Sequence, residues 1–274
     1  MSLAHTLACR PVRLGALDWL ALHALALWPH GAYLVQRAID GSDDPLGLLA
    51  LAAVAVLVAW HRHGLRLTPR VGWMTASMAA ALAANGAWCA GVPALLASLL
   101  AALSLACALW AWWPSAQPRW PLAGLVVLAL PWIASLQFYL GFPLRVITAQ
   151  LSAWGLRVAG FDASRSGASM VVDGQLVIVD APCSGVQMAW LAYFTACAAA
   201  AALGLRDHVF VRRALGVGAI VLIGNVLRNC VLVALESRPG GLGAAWHEAI
   251  GLIALAAVAI AVLRLMQHKE TARA

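Results

Sequence analysis

Cys183 closes the polar run in "DAPCSGVQMAW" just where an apolar helix is expected to begin. A thiol at a helix N-terminus meets free backbone N–H groups and the positive end of the helix dipole, which stabilise its thiolate. Ser184 reads as the helix cap, and Gly185 allows another segment to approach closely. Arg228 lies inside the apolar run "AIVLIGNVLRNCVLVAL". A charge within a membrane span costs about 3 kcal/mol on insertion scales, so such a residue faces the protein interior and has a task. Asn225, three residues earlier, falls on the same helical face and is placed to orient it. His247 opens the last apolar run in "AAWHEAIGLI". An imidazole takes and gives protons near neutral pH.

A thiol nucleophile, a guanidinium to hold an oxyanion and an imidazole to shuttle protons are what acyl transfer through a thioester requires. The bland alternatives are a small residue closing a turn, an arginine bonding backbone carbonyls between helices, and a solvated interfacial histidine. The other polar groups make a weaker case. His61 and His63 sit in an arginine-rich loop. Asp18, His23 and His30 are scattered, Asp207 and His208 fall in a loop, and Ser135 and Gln137 read as interhelical bonding groups. The six cysteines, Cys9, Cys89, Cys107, Cys183, Cys197 and Cys230, show no CxxC or Cys/His ligand spacing, so neither a metal nor another cofactor is expected. Most of them fall in apolar runs, where a cysteine behaves as a small hydrophobe.

These residues need elements to position them. The 274-residue chain is 63% hydrophobic and 11% charged, with a net charge of +7, and Lys269 is its single lysine. That composition is an integral membrane protein's, and its positive charge speaks to topology, not to nucleic acid. The start "MSLAHTLACRPVR" lacks a compact signal-peptide pattern, so the first apolar run is expected to be retained. About eight spans are expected, near 14–37, 45–60, 71–90, 92–113, 121–141, 184–205, 213–235 and 246–266. With the N-terminus in the cytoplasm, "HRHGLRLTPR", "WPSAQPRW" and "RDHVFVRR" all fall inside, while acidic "DGSDDP", "AGVP" and "SRPGGLG" fall outside. Both termini are then cytoplasmic. Cys183, Arg228 and His247 stand toward the outer ends of three consecutive helices.

The 142–183 segment is the one long extramembrane piece. Leu144, Ile147, Leu151, Trp154 and Val158 recur at helical spacing, which predicts an amphipathic helix on the outer surface. Two β-prone runs in "SMVVDGQLVIVD" flank Asp173–Gly174, a two-residue hairpin signal. The fold expected is an all-α polytopic membrane protein in one domain. A four-helix part spans 1–120, and a catalytic core spans 121–266, with the hairpin before the sixth helix.

"APCSGVQ", "NVLR" ending at Arg228 and the "WHE" histidine resemble, in this order, the three signature motifs of the exosortase/archaeosortase family. "FPLRVITAQLSAWGLRVAGF" and the β-prone stretch after it are similar to the segment those proteins carry, so the resemblance covers about 140–255. The chain departs from the family's pattern at Pro182, where a small residue is common, and at Gln187, where many relatives carry a basic one. The resemblance implies a cysteine transpeptidase of the cytoplasmic (inner) membrane, its active site facing the periplasm or exterior. Its substrates would be exported proteins ending in a short recognition motif, a transmembrane helix and a basic tail. Cys183 would be the nucleophile, Arg228 the oxyanion or thiolate stabiliser and His247 the general base and acid. An acceptor nucleophile, often linked to extracellular polysaccharide, would take the acyl group. Three other readings stay open on the residues alone. One is an enzyme that only hydrolyses, one a transporter with Arg228 and Asn225 along a polar path, and one a scaffold in a polysaccharide-export system.

Overall fold

The computed structural model describes residues 15–178, 184–237 and 243–268. Its helices, in chain order, are α1 (Ala16–Ala26), α2 (Trp28–Ile39), α3 (Leu46–Trp60), α4 (Val71–Cys89), α5 (Ala94–Trp112), α6 (Trp120–Leu128), α7 (Ile133–Val158), α8 (Val186–Ala202), α9 (Asp207–Glu236) and α10 (Ala244–Gln267). Three short strands, β1 (Ala163–Ser166), β2 (Ser169–Val172) and β3 (Gln175–Ile178), stand between α7 and α8.

By length and composition this is a multi-pass helical membrane protein. Among the described residues α5, α9 and α10 are long and apolar enough to cross a bilayer, and the bent pair α6–α7 makes a fourth if counted as one span. α3 and α8 are apolar but shorter, with 15 and 17 residues, near or under the lower limit for a span. The first expected span is two helices, because the chain turns at Leu27 and Pro29 opens α2. α9 begins at Asp207, so Asp207 and His208 form its first turn and not a loop. There Asp207 Oδ1 accepts the backbone N–H groups of Arg119 and Trp120 at 2.8 and 3.0 Å, capping the head of α6.

The chain breaks earlier than its pattern suggests. An unbroken span over 121–141 and a separate surface helix were expected. Instead α6 stops at Leu128, the axis turns by 90°, and α7 runs without interruption from Ile133 to Val158. Pro131, which has no N–H to donate, lies in the bend. The carbonyls freed there have found indole partners: Trp190 Nε1–H donates to Leu128 O at 3.1 Å, and Trp132 Nε1–H to Val127 O at 2.7 Å. A broken helix at membrane depth survives only where neighbours satisfy its backbone in this way. Pro143 sits inside α7, where it removes one bond from the ladder.

The apolar stripe expected of an amphipathic surface helix belongs instead to the long helix α7, where it faces away from the neighbouring helices. Ile147, Trp154 and Val158 are exposed, while Thr148, Ala149, Ser152 and Ala153 are buried. This is helix packing as it occurs in lipid, with small and polar side chains inside and large apolar ones outside. Asn225 Nδ2–H of α9 donates to Thr148 Oγ1 at 3.2 Å, and Asn229 Nδ2–H donates to Ser152 Oγ at 3.0 Å. The expected hairpin is present but belongs to a three-stranded antiparallel sheet, β1–β2–β3. Asp173 and Gly174 have φ of 49° and 78°, the two positive values that a tight two-residue turn demands.

α3 packs at the bend itself. A Cβ at Gly47 would stand 2.4 Å from Ala129 O, a backbone atom held by the bend. Gly47→Ala should therefore destabilise the protein by about 1–3 kcal/mol, the usual effect of overpacking. Thermal unfolding in detergent reads this, with the midpoint expected to drop clearly below that of Gly72→Ala, whose surroundings are open.

Candidate active site

The helix that follows Cys183 starts two residues later than expected. Gly185, not Ser184, is the N-cap of α8, and it holds φ of 81°. A right-handed helix cannot continue backwards through that left-handed residue. Ser184 Oγ serves a local turn, accepting from Val186 N–H at 3.4 Å and donating to Gln137 Oε1 of α7 at 3.0 Å. Gly185 does allow the close approach expected of it. A Cβ there would meet the Asn225 carboxamide at 2.9 Å, so α9 presses on the chain just after Cys183. Cys183 itself lies outside the described residues.

Arg228 and His247 come together. Both line one cavity of about 420 Å³, with Asp44, Gln187, Glu248 and Gly251 among its other walls. Arg228 lies eight residues before the last residue of α9, roughly 12 Å along the axis. With Asn225 and Asn229 turned to α7, Arg228 projects from a different side of α9. Its guanidinium lies over α10, where a Cβ at Gly251 would stand 3.4 Å from Nη2 and 3.5 Å from Nε. Gly251 is four residues below His247, about 6 Å along the axis. His247 lies in the first turn of α10, whose N-cap is Gly243, and is half-buried.

Two wall residues had no part in the chemistry read from sequence. Gln187 Nε2–H, in the first turn of α8, donates to Asp44 Oδ2 at 2.8 Å. Asp44 stands just before α3, in the acidic loop "DGSDDP", whose charge was read only as a topology signal. Burial pushes the neighbouring Asp43 carboxyl above its ordinary range, against backbone N–H bonds from Asp44 and Ala134 and the nearby Arg37 cation. Gly251 was legible only through its spacing, four residues after His247 on one face of a helix.

A second hollow, an apolar groove of about 550 Å³, runs along the other side of α8. Leu136, Leu140, Leu144, Trp190 and Leu222 line it, and its wall includes Ser184, Gly185 and Asn225. The two hollows therefore flank the start of α8, one apolar and one carrying the guanidinium and the imidazole.

The basic segments occupy the opposite end of the helices. The backbone N–H groups of Arg66 and Arg70 donate to Trp112 O and Ala111 O, both at 2.9 Å, at the end of α5. Arg213 donates to Met266 O at 2.8 Å and to His268 O at 2.6 Å, at the end of α10.

Comparison with known families finds a match over residues 38–264 to the family described as Transmembrane exosortase (Exosortase_EpsH). The match reaches well into the first half of the chain, beyond the 140–255 over which the motifs alone carried a resemblance. No curated protein and no solved structure gave a significant match.

Gly185→Ala meets both a left-handed backbone and the Asn225 carboxamide. It should cost about 1–2 kcal/mol for the conformation and a similar amount for the contact. Thermal unfolding in detergent should show a lowered midpoint, whereas Gly72→Ala, which has no neighbour within 4 Å, should not fall below the wild type.

Proposed function

Because this chain belongs to the transmembrane exosortase family, we propose that it is a membrane-embedded cysteine transpeptidase acting on exported proteins with a C-terminal sorting signal. The observation that carries this reading is the shared cavity. It brings Arg228 of α9 and His247 of α10 to the first turn of α8, which begins three residues after Cys183.

In this reading the Cys183 thiol gives its proton to His247, and the sulfur attacks the carbonyl carbon of the scissile peptide bond. The oxygen of the tetrahedral intermediate takes up negative charge, and the Arg228 guanidinium stabilises it. The intermediate collapses with cleavage of the C–N bond, and His247 returns the proton to the leaving amine. The substrate's acyl group is then held as a thioester on Cys183. An acceptor nucleophile attacks that carbonyl, gives up a proton, and leaves with the acyl group as the thiol re-forms. The acceptor is expected to belong to extracellular polysaccharide production.

Two features support a tailed, membrane-anchored substrate. The apolar groove beside Ser184 and Gly185 suits the apolar helix that follows a recognition motif. The arginine-bearing segments lie at the end of the helices opposite the cavity, which suits eight spans with both termini in the cytoplasm and the site at the outer face.

The test is co-expression with a candidate tailed substrate. Cys183→Ala and Cys183→Ser should leave it uncleaved. Arg228→Ala should slow cleavage by about 10²–10³-fold and His247→Ala by about 10²–10⁴-fold. Normal processing in both Cys183 variants contradicts the reading. Product mass separates transfer from hydrolysis: transfer adds the acceptor's mass, whereas a free new carboxylate under every acceptor condition makes the protein a hydrolase. A membrane-impermeant thiol reagent should modify Cys183 from outside the cell, and labelling only from the cytoplasmic side overturns the orientation.

A further inference from the structure

The loop between α2 and α3 brings an acid to the cavity from the half of the chain where no site residue was expected. Asp44 Oδ2 accepts the Gln187 Nε2–H at 2.8 Å, between residues 143 positions apart. Both side chains line the cavity that holds Arg228 and His247. The loop is anchored by its other aspartate. Asp43, only 8% exposed, accepts the backbone N–H groups of Asp44 at 2.8 Å and Ala134 at 3.3 Å. Its Oδ2 lies 3.9 Å from Arg37 Nη2, and its own N–H donates to Arg37 O at 3.1 Å. Asp43 thus ties the loop to α2 and to the head of α7, and leaves Asp44 on the cavity wall. Gln187, the residue Asp44 holds, is the second residue of α8 and stands four positions after Cys183. The carboxylate acceptor makes this bond charge-assisted, and because Gln187 is exposed its net strength is moderated by solvent.

We propose that Asp44 is a positioning residue for the reaction. By holding Gln187 it sets where the first turn of α8 stands relative to Arg228 and His247. The inference rests on the transpeptidase reading above. It assigns Asp44 no contact with the reacting atoms, and it gives the N-terminal half of the chain a part in the chemistry.

The experiment measures kcat, KM and the unfolding midpoint of the full-length protein with a tailed substrate. Asp44→Ala should lower kcat about tenfold, the effect of losing one charge-assisted hydrogen bond, with KM and the midpoint near the wild type. Gln187→Glu, which sets two carboxylates against each other, should do the same. Gln187→Arg, which replaces the hydrogen bond by an ion pair, should keep the rate. The pair Asp44→Lys with Gln187→Glu should recover most of it, which loss of folding alone would not allow. Wild-type kcat in Asp44→Ala overturns the inference, and so does a loss that the swapped pair does not recover. Cys183→Ala, assayed alongside, separates two kinds of failure. If it is inactive while Asp44→Ala keeps full activity, only the positioning role falls. If it processes substrate normally, the transpeptidase reading falls and the positioning role falls with it.

Discussion

Asn225 and Asn229, buried on α9, each reach a hydroxyl of α7, and these two bonds set the rotation of α9. A carboxamide buried between helices must find such partners, so the two residues leave α9 little choice of which side to turn to α7. Arg228 lies between them in sequence and one-sixth of a turn from the Asn225 direction. Once the asparagines face α7, the arginine is carried toward α10 and comes to rest over Gly251. Asn225 also presses on Gly185, whose left-handed backbone begins α8. The helix that bears the guanidinium and the turn that follows the cysteine are thus set by the same residue.

The same solvent logic runs through the rest of the fold. Large apolar side chains such as Ile147 and Trp154 are exposed because lipid, not water, is their natural surrounding. Serines and threonines fill the seams. The break at Pro131 is tolerated because two tryptophan indoles take the carbonyls it frees, and because Asp43 takes the Ala134 N–H at the head of α7. That repair also fixes the loop that carries Asp44. A backbone interruption deep in the protein is in this way connected to the wall of the cavity.

Much of this was legible in the residues. Apolar runs marked α3, α4, α5, α8 and α10 to within a few positions, because lipid imposes a length on such runs. The Asp173–Gly174 pair marked a tight turn, since few other pairs accept two positive φ values. Arg228 stood out because a charge is expensive inside an apolar run, and the structure places it on one cavity with His247. The unread parts depend on contacts between distant segments. Nothing local distinguishes Pro131, which ends a helix, from Pro143, which lies inside one; their neighbours do. The spacing of Leu144, Ile147 and Leu151 marks a face correctly, but whether that face meets protein or lipid is not a local property. β1 needed β2 to pair with. Asp44 looked like topogenic charge until its partner, Gln187, was brought to it from across the chain.

The central claim is that substrate is held as an acyl group on Cys183, with Arg228 and His247 serving the carbonyl from their shared cavity. Mass spectrometry of the protein isolated with a tailed substrate, with acceptor withheld, tests it most directly. The account predicts a substrate-derived acyl mass on the peptide containing Cys183, released by hydroxylamine as a thioester should be, absent in Cys183→Ala and formed about 10²–10³-fold more slowly in Arg228→Ala. Cleaved substrate with no adduct on Cys183 at any time point would contradict it.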